Sequence, residues 1–359
     1  MKKPERIFVI GHKNPDTDSI CSAIAYADIK NRTTQNKKYI PKRAGQINEE
    51  TRYVLNRFGV QPPAYLGNIG TQVKDMDIRT SPQADKNMSL KNTWDLMQEN
   101  GIVSLPIRDK DGRLEGLVTI GDIAKTYMDT TDSYLLSNAR TQYQRIAETV
   151  GGEVVEGNGH GYFVKGRVLV GTANPKMLEG YVEENDMIIM GDREEDHLQA
   201  ISQNVSCIIV GLNIVVSEKV VKLAHEKNIV IIRSPYDTFN IARLINQSIP
   251  VSFVMKRDNM VTFNTEDFTD DIQDVMIKNR HRAFPVINPH GKCIGTISRR
   301  NFLDMHKKKV VLVDHNEVDQ AVDNIEKAEI LEIIDHHKLG TLQTMTPVAF
   351  RNEPVGCTG

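Results

Sequence analysis

Three short apolar segments of this sequence each end in a group of Asp and His residues. The segments are residues 7–10, 310–313 and 330–334, and the groups after them are His12, Asp16 and Asp18, then Asp314 and His315, then Asp335, His336 and His337. Apolar runs of this length are typical of buried parallel strands. Because parallel strands bring their carboxyl ends to one edge of a sheet, where ligands bind, the sequence predicts an α/β fold with one shared site.

The first of these groups has two interpretations. Asp16 and Asp18 lie in a turn that starts at Pro15 and precedes an Ala-rich segment, residues 20–29, which predicts a helix. Asp is common in turns and at N-caps, and Asp18 or Ser19 is expected to cap this helix. The alternative is a metal site. Asp and His recur after three strands, and a buried unpaired Asp is costly, so we predict a dinuclear metal centre.

These motifs resemble those of a known enzyme family. The segments His12–Ser19, Val313–Asn316 and Ile334–His337 resemble the signature of the family II, or DHH-type, inorganic pyrophosphatases. The tripeptide Thr17-Asp18-Ser19 is more typical of these pyrophosphatases than of the related phosphodiesterases. The resemblance implies a parallel-sheet catalytic domain that hydrolyses inorganic pyrophosphate to two phosphates.

The resemblance also implies a role for each motif residue. It implies metal ligands at His12, Asp16, Asp18, Asp314 and His336, catalytic roles for His337 and Asp16, and an orienting role without metal contact for His315 and Asp335. Asp314 would bridge the two ions, and His337 would contact the electrophilic phosphate. Imidazole and carboxylate ligands together suit Mn²⁺ or Co²⁺, two per site, with Mg²⁺ accompanying the substrate.

The sequence between these motifs contains an internal repeat. Residues 90–119 and 270–298 each show a predicted helix, a strand, a turn and a returning strand. The repeat resembles a pair of CBS domains, which dock together and hold an adenosyl ligand in the cleft between them. The matching motif is Gly116-x-x-Thr119-x-x-Asp122 in the first copy and Gly295-x-x-Ser298-x-x-Asn301 in the second.

The polar residues of the repeats are candidates for nucleotide binding. Thr119, Asp122, Ser298 and Asn301 have the hydroxyl, carboxylate or amide groups that bind phosphate or ribose oxygens. Asn301 is uncharged where the motif has Asp, which weakens the second half-site. Arg280 and Arg282 are candidates for phosphate contacts, and a solvated basic segment explains them equally well. The resemblance implies AMP, ADP, ATP or diadenosine polyphosphates as regulators and a homodimer formed through the CBS pair.

The region between the repeats predicts a further α/β sandwich, in which Gly191-Asp192-Arg193 and Gly211 resemble part of the DRTGG signature. The complete interpretation is an α/β protein whose DHH-type parallel-sheet catalytic domain is interrupted by a CBS-domain pair and an α/β DRTGG-like domain. The predicted domains are residues 1–70 (first catalytic part), 71–129 (first CBS domain), 130–250 (DRTGG-like domain), 251–308 (second CBS domain) and 309–359 (second catalytic part, truncated).

Composition argues against several classes of partner. A net charge of −2 over 359 residues gives no general attraction to nucleic acid or to anionic membranes. Its 4 cysteines show neither a disulfide framework nor a CxxC pair, and the sequence has no apolar run long enough to span a membrane. We expect a soluble, cytoplasmic protein.

The sequence ends at Gly359, whereas the resemblance implies a further Asp ligand and a C-terminal domain that supplies Arg and Lys. We therefore expect a truncated chain that binds its second metal ion weakly and hydrolyses pyrophosphate slowly or not at all. Two other functions are compatible with the motifs. One is a DHH-type phosphodiesterase that acts on a nucleotide or oligonucleotide, and the other is a non-catalytic adenine-nucleotide sensor.

Overall fold

The computed structural model describes residues 4–128, 132–171, 180–303, 305–340 and 342–359. The strands are β1 (Glu5–Ile10), β2 (Lys37–Arg43), β3 (Ala64–Tyr65), β4 (Ser104–Arg108), β5 (Leu114–Thr119), β6 (Thr141–Gln142), β7 (Glu153–Glu156), β8 (Tyr162–Phe163), β9 (Val168–Val170), β10 (Met187–Met190), β11 (Cys207–Val210), β12 (Val230–Arg233), β13 (Phe263–Asn264), β14 (Phe284–Ile287), β15 (Cys293–Ile297), β16 (Lys309–Val313), β17 (Glu329–Asp335) and β18 (Ala349–Asn352). The α-helices are α1 (Thr17–Thr33), α2 (Glu49–Arg57), α3 (Leu90–Glu99), α4 (Ile120–Met128), α5 (Leu135–Asn138), α6 (Tyr143–Thr149), α7 (Glu194–Ser202), α8 (Glu218–Glu226), α9 (Thr238–Leu244) and α10 (Thr269–Lys278). Short 3₁₀ helices occupy Val73–Asp75, Ile245–Ser248, Val251–Phe253, Arg299–Phe302, Val318–Gln320 and Ile325–Lys327. None of these helices has the length and apolar character needed to cross a membrane.

The chain forms two compact units. The first consists of Met1–Ile78, Phe263–Arg280 and Ser298–Gly359, and the second of Arg79–Thr262 and His281–Ile297. Two segments that the sequence assigns to the second CBS domain, residues 263–280 and 298–308, therefore group with the two ends of the chain. Within this first unit, Lys308 Nζ donates to the carbonyl oxygen of Gly70 at 2.9 Å and lies 3.0 Å from Asp75 Oδ2.

A six-stranded parallel sheet forms the centre of the first unit. Its strand order is β18-β17-β16-β1-β2-β3, and every neighbouring pair is parallel. The strands that precede the three Asp and His groups are adjacent, because β1 pairs with β16 and β16 pairs with β17. The predicted parallel-sheet α/β fold is thus confirmed.

Helix α1 covers one face of this sheet. Ala23 and Ala27, four residues apart on the helix, pack against Ile7 and Val9 of β1. The small alanine side chains let the helix lie close to the strand, which fixes the direction in which the loop between β1 and α1 leaves the sheet. The position of that loop is therefore set by core packing.

Helix α1 begins earlier than the sequence predicted. Its N-cap is Asp16, whose Oδ1 accepts a hydrogen bond from the backbone N–H of Ser19 at 2.9 Å. The prediction that Asp18 or Ser19 caps the helix was wrong, because the extended backbone that a cap requires occurs at Asp16, directly after Pro15. Asp18 lies in the first helical turn, where the helix dipole favours a carboxylate.

The second unit contains a five-stranded sheet with the order β7-β12-β11-β10-β9. Strands β9 to β12 are parallel to one another and β7 is antiparallel to β12. Two hairpins, β4–β5 and β14–β15, correspond to the strand pairs of the predicted repeat.

The first and last residues of the second unit lie next to each other. Arg79 is its first residue and Thr296 its last but one. Their backbones exchange two hydrogen bonds, from Arg79 N to Thr296 O at 3.0 Å and from Thr296 N to Arg79 O at 2.9 Å. The chain therefore first enters and finally leaves this unit at adjacent positions, and it also passes through the first unit between them, at residues 263–280.

Gly45 brings the loop after β2 against the loop after β1. A Cβ added at Gly45 would overlap the carbonyl oxygen of Lys13 and would lie 2.6 Å from Pro15 Cδ. Lys13 and Pro15 belong to the segment that connects His12 to Asp16. The absence of a side chain at this position therefore sets the position of that segment.

We expect Gly45→Ala to lower the thermal denaturation midpoint, because the added methyl group displaces backbone at a cost of about 1–3 kcal/mol. Gly191→Ala is the matched control, since a Cβ at Gly191 meets no heavy atom within 4 Å. The control should change the free energy of unfolding by less than about 0.5 kcal/mol. Equal midpoints for the two variants would contradict this account.

Candidate metal centre

The predicted site residues meet at the carboxyl edge of the parallel sheet. His12 follows β1 by two positions, Asp314 follows β16 directly, and His336 follows β17 directly. The register places Ile10 beside Leu312, and Val313 beside Ile334, so the three strands end at a similar level. The edge at which α/β sheets bind ligands thus carries all three groups.

The first group of candidate ligands consists of His12, Asp16 and Asp314. His12 Nε2 lies 3.4 Å from Asp314 Oδ2 and 3.7 Å from Asp16 Oδ1. One ligand atom from each of the three residues lies within 4.8 Å of the others. Asp16 therefore serves two purposes, because the oxygen that faces His12 also caps α1.

The second group of candidate ligands consists of His336, Asp18 and Asp314. His336 Nε2 lies 3.3 Å from Asp314 Oδ1 and 3.6 Å from Asp18 Oδ2. The Nδ1–H of His336 donates to the carbonyl oxygen of Val355 at 2.9 Å, which leaves the lone pair of Nε2 facing the carboxylates. Asp314 consequently directs one oxygen to each group.

The environment of Asp314 fits a pair of divalent cations. Its side chain is 1% exposed, and Oδ2 has no hydrogen-bond partner in the described part of the chain. A buried carboxylate oxygen in this condition is costly unless a cation faces it. The backbone of Asp314 has a positive φ of 62°, a strained conformation for Asp, and its N–H is held by the Ile334 carbonyl at 2.9 Å.

The pKa values of the His12 and Asp18 side chains are shifted from their ordinary values. Burial alone lowers the pKa of His12, but the carboxylates of Asp314 and Asp16 outweigh burial and raise it above its ordinary value. Burial raises the pKa of Asp18, but hydrogen bonds from Thr358 N, Ser22 Oγ and Gly359 N lower it overall. Both shifts favour the charged forms of His12 and Asp18, so a cation that binds His12 must displace its proton.

His337 and Asp335 form a hydrogen-bonded pair next to the second group. His337 Nδ1 donates to Asp335 Oδ1 at 2.8 Å, and the His337 side chain is 51% exposed. Burial raises the pKa of Asp335, but hydrogen bonds from His337 and Asn316 lower it overall. His337 also lies close enough to Asp314 and His336 to join them in holding a metal ion.

His315 is held away from the candidate ligand groups. It is completely buried, and its Nδ1–H donates to the Val313 carbonyl at 2.9 Å. Burial lowers the pKa of His315 to about 4, so the ring is neutral at neutral pH. The ring packs edge-on against His12, with centroids 6.4 Å apart, and so supports the position of that imidazole.

Sequence reasoning missed three residues of this region. Ser22 donates to Asp18 Oδ1 at 2.8 Å, Thr358 Oγ1 donates to Asp314 Oδ1 at 3.0 Å, and Asn316 donates to Asp335 Oδ2. The four-residue spacing from Asp18 to Ser22 on a helix could have indicated the first contact. The other two connect segments that are distant in sequence.

The candidate nucleotide residues form two local pairs. In the second unit, Asp122 Oδ2 accepts hydrogen bonds from Thr119 N at 2.9 Å and Thr119 Oγ1 at 2.6 Å. In the first unit, Asn301 Oδ1 accepts from Ser298 N at 2.7 Å and Ser298 Oγ at 2.9 Å. Asn301 Nδ2 also donates to the Asp77 carbonyl at 2.6 Å, a bond that an Asp could not make.

The two arginines proposed as phosphate ligands are solvated. Arg280 and Arg282 are both exposed. Within the described ranges, neither makes a hydrogen bond or an ion pair.

Two family models match parts of the chain. Residues 145–248 match the DRTGG domain, and residues 73–129 and 251–308 match the CBS domain. A solved structure of the CBS and DRTGG domains from the regulatory region of Clostridium perfringens pyrophosphatase, complexed with the activator diadenosine tetraphosphate, gives a TM-score of 0.61 at 32% identity. That likeness covers 64% of this chain and 100% of the solved chain.

Two curated relatives match nearly the whole chain. It is 39% identical over 352 residues to a cobalt-dependent inorganic pyrophosphatase of Clostridium perfringens, covering 98% of this chain and 64% of the relative. It is 37% identical over 358 residues to a probable manganese-dependent inorganic pyrophosphatase of Thermotoga maritima, covering 100% of this chain and 65% of the relative. The chain thus spans slightly less than two thirds of the length of these relatives.

Fold and site together define a parallel-sheet α/β protein with a candidate dinuclear metal centre, whose sequence is interrupted by CBS and DRTGG domains. The two curated relatives match residues of both units, because they cover 98% and 100% of this chain. The chain contains the CBS and DRTGG domains of such a regulatory region, and along nearly its whole length it is similar to metal-dependent inorganic pyrophosphatases.

We expect the Mn²⁺ affinity of the protein to rise with pH. The raised pKa of His12 means that the proton on its ring competes with metal at and above pH 6.5, the ordinary value. Below that pKa, each unit of pH should weaken binding by up to about tenfold for one displaced proton. In the metal-free chain the raised pKa of His12 also contributes to the free energy of unfolding. This stabilisation is fully present below pH 6.5 and is lost as the pH rises through the raised pKa.

Isothermal titration calorimetry with Mn²⁺ across this pH range tests the prediction. His12→Gln should bind more weakly and lose most of the pH dependence. The control His160→Gln changes an exposed histidine of the second unit and should behave as the parent does. A His12→Gln variant with the parental pH dependence would refute the assignment.

Proposed function

We propose that this protein hydrolyses inorganic pyrophosphate to two phosphates with the help of two Mn²⁺ or Co²⁺ ions. The observation that carries the proposal is the buried carboxylate of Asp314, which directs one oxygen to each of two imidazole- and carboxylate-containing groups. Both curated relatives that match nearly the whole chain are named as metal-dependent inorganic pyrophosphatases, which supports the same conclusion.

The proposal assigns a holding role to five residues. His12 and Asp16 would hold one ion, Asp18 and His336 the other, and Asp314 both. Two such ions, when bound, lower the pKa of a water molecule and neutralise the charge of the phosphates, with Mg²⁺ accompanying the substrate. Imidazole nitrogen in both groups favours Mn²⁺ or Co²⁺ over an all-oxygen magnesium site.

We assign the remaining polar groups to orientation and to substrate. His337 is half-exposed next to the second group, so its free Nε2 is available to a phosphate oxygen. Asp335 orients this ring, and Asp16 aligns the loop that carries His12 because it also caps α1. A cavity of about 290 Å³ lies beside this loop and includes Lys13, whose ammonium group is a second candidate for binding phosphate.

Replacement of the shared carboxylate provides the test. We expect Asp314→Asn to lower pyrophosphate turnover by at least about a hundredfold at saturating Mn²⁺, because both ions lose a charged ligand. Phosphate release measured colorimetrically gives the rate, and metal analysis of the dialysed protein gives the occupancy. Asp319→Asn, at an exposed position of the same loop, is the control and should keep the parental rate.

The same assay separates pyrophosphatase from the other activities that the motifs allow. Cleavage of a nucleotide diester at a higher rate than pyrophosphate would identify a phosphodiesterase instead. Normal metal content with neither activity in the parent protein would contradict the proposed reaction.

We further propose that adenine nucleotides regulate the enzyme through its CBS domains. Support comes from the Thr119–Asp122 pair, which places a hydroxyl and a carboxylate together, and from the solved regulatory region that carries diadenosine tetraphosphate. AMP, ADP, ATP and diadenosine polyphosphates are the candidate regulators. Ser298 and Asn301 form the weaker half-site because the Asn301 amide is already bonded to the Asp77 carbonyl. Arg280 and Arg282, both exposed, are proposed as phosphate contacts.

We expect Asp122→Asn to weaken nucleotide affinity by about 10-fold or more, because hydrogen bonds to a charged acceptor contribute about 1.5–3 kcal/mol. Asn is preferable to Ala here, since its oxygen still accepts from Thr119 N–H. Calorimetry with each nucleotide measures the affinity, and Asp111→Asn, on the exposed turn between β4 and β5, is the control. Absence of binding by every nucleotide to the parent chain would exclude this form of regulation.

Two further proposals concern organisation. The predicted domains, residues 1–70, 71–129, 130–250, 251–308 and 309–359, are proposed as the functional divisions of the chain. We propose a homodimer formed through the CBS pair, supported by the apolar groove between α3 and α4 with the partly exposed Trp94 and Tyr127.

We also propose a cytoplasmic location, which is supported by the free thiols of Cys21, Cys207, Cys293 and Cys357.

A further inference from the structure

Asn316 is a buried amide whose polar groups are all used. Its side chain donates from Nδ2 to Asp335 Oδ2 and, at 2.9 Å, to the Lys338 carbonyl. Its Oδ1 accepts from the backbone N–H of Gly340. Asp335 is the last residue of β17, and Lys338 and Gly340 lie on the loop after it, whereas Asn316 lies on the loop after β16. One side chain therefore joins the loop of the shared carboxylate to the loop of His336 and His337.

Asp335 binds Asn316 through one oxygen and His336 and His337 through the other. While Oδ2 is held by Asn316, Oδ1 accepts from His336 N at 2.8 Å, from His337 N at 3.2 Å and from His337 Nδ1 at 2.8 Å. A carboxylate held at one oxygen presents the other in a fixed direction. The orientation of Asp335, and with it that of the His337 ring, is thus set by the donor at residue 316 together with the two backbone N–H groups.

The His337 ring packs against the His336 ring, with centroids 4.3 Å apart, and its Nδ1 lies 3.9 Å from Asp314 Oδ1. The side chain is 51% exposed, and in the part of the chain that the structure describes the ring makes one hydrogen bond, to Asp335. An exposed imidazole samples several rotamers unless a polar partner selects one. Because a carboxylate only accepts, the bond to Asp335 also requires the proton on Nδ1 and leaves Nε2 free.

The backbone at Gly340 lies so close to Asn316 that no side chain fits between the two loops. A Cβ at Gly340 would lie 2.5 Å from Asn316 Oδ1 and 2.7 Å from the Asn316 carbonyl oxygen. Residue 340 must therefore be a glycine for its N–H to reach the amide. The contact of Asn316 thus depends on a backbone position that tolerates no side chain.

We propose that Asn316 is a positioning residue that acts through Asp335 to hold the His337 ring with Nδ1 protonated and with the lone pair of Nε2 unprotonated. The proposal rests on the proposed pyrophosphatase function for its role in the reaction. The alternative is a purely structural amide that stabilises two loops and has no effect on the orientation of His337.

The test compares the parent with two variants at residue 316. Asn316→Ser removes the donor and leaves a small neutral side chain, and Asn316→Asp keeps the shape but replaces the donor by an acceptor. In ¹⁵N-histidine NMR spectra of the metal-free full chain, at a pH where the ring is neutral, we expect His337 to be protonated at Nδ1 in the parent. Both variants should shift the proton toward Nε2, and the spectrum of His337→Gln identifies the signals.

Asn31 offers a matched control in the same unit. Its Nδ2 donates to the Tyr39 carbonyl and its Oδ1 accepts from Tyr39 N, both at 2.8 Å, so that it also joins two segments by its amide. Asn31→Asp should lower the thermal midpoint yet leave the His337 signals unchanged. If Asn316 had only a structural role, its own variants should also lower the thermal midpoint and leave the His337 signals unchanged.

Turnover supplies the second measurement. With saturating Mn²⁺, both residue-316 variants should lose about 10–100-fold in kcat, as is usual for partners of catalytic-site side chains, with a smaller change in KM. An unchanged His337 ring signature in both variants would overturn the proposal, and so would a changed signature with parental kcat. A parent that shows the predicted signature but cleaves no pyrophosphate would contradict the proposed function alone, since the NMR result does not depend on activity.

Discussion

Asp314 places a buried carboxylate between two imidazoles, and the geometry of the metal centre depends on this interaction. Each oxygen of Asp314 lies within 3.4 Å of one imidazole nitrogen. A buried carboxylate is costly unless cations or hydrogen-bond donors face its oxygens, and Oδ2 has no donor in the described part of the chain. Strand pairing holds the residue in its strained backbone conformation, because the Asp314 N–H is bound by β17. The parallel sheet therefore provides the rigidity that a shared ligand requires.

Local sequence predicted the three strands and the convergence of the Asp and His residues that follow them, for a physical reason. Apolar runs define buried parallel strands, and the carboxyl ends of neighbouring strands share one edge, so residues after the runs must converge. The exact role of each residue was harder to predict. Asp16 serves both as N-cap and as candidate ligand, two functions that sequence treats as alternatives but that use the same oxygen in different directions.

Contacts between distant loops were beyond the reach of sequence patterns. Asn316 reaches Asp335 and Gly340 only because β16 and β17 are neighbours in register, which no spacing in the sequence encodes. Asn301 was interpreted as a weakened version of an Asp. In the structure its amide donates to the Asp77 carbonyl, so the substitution creates a bond within the first unit. The identity of a polar residue can thus reflect a distant backbone group.

The closed ends of the second unit have a consequence for how the chain folds. Strand β1 must pair with β16, which follows it only after the whole second unit has been synthesised. A long flexible connection would impose a large loop-closure entropy on this pairing and would slow it. Because Arg79 and Thr296 are hydrogen-bonded to each other, the first and last segments of a folded second unit lie side by side, and the effective connection between β1 and β16 is short. Folding of this unit before β16 is synthesised would therefore lower the entropy cost of pairing the two strands.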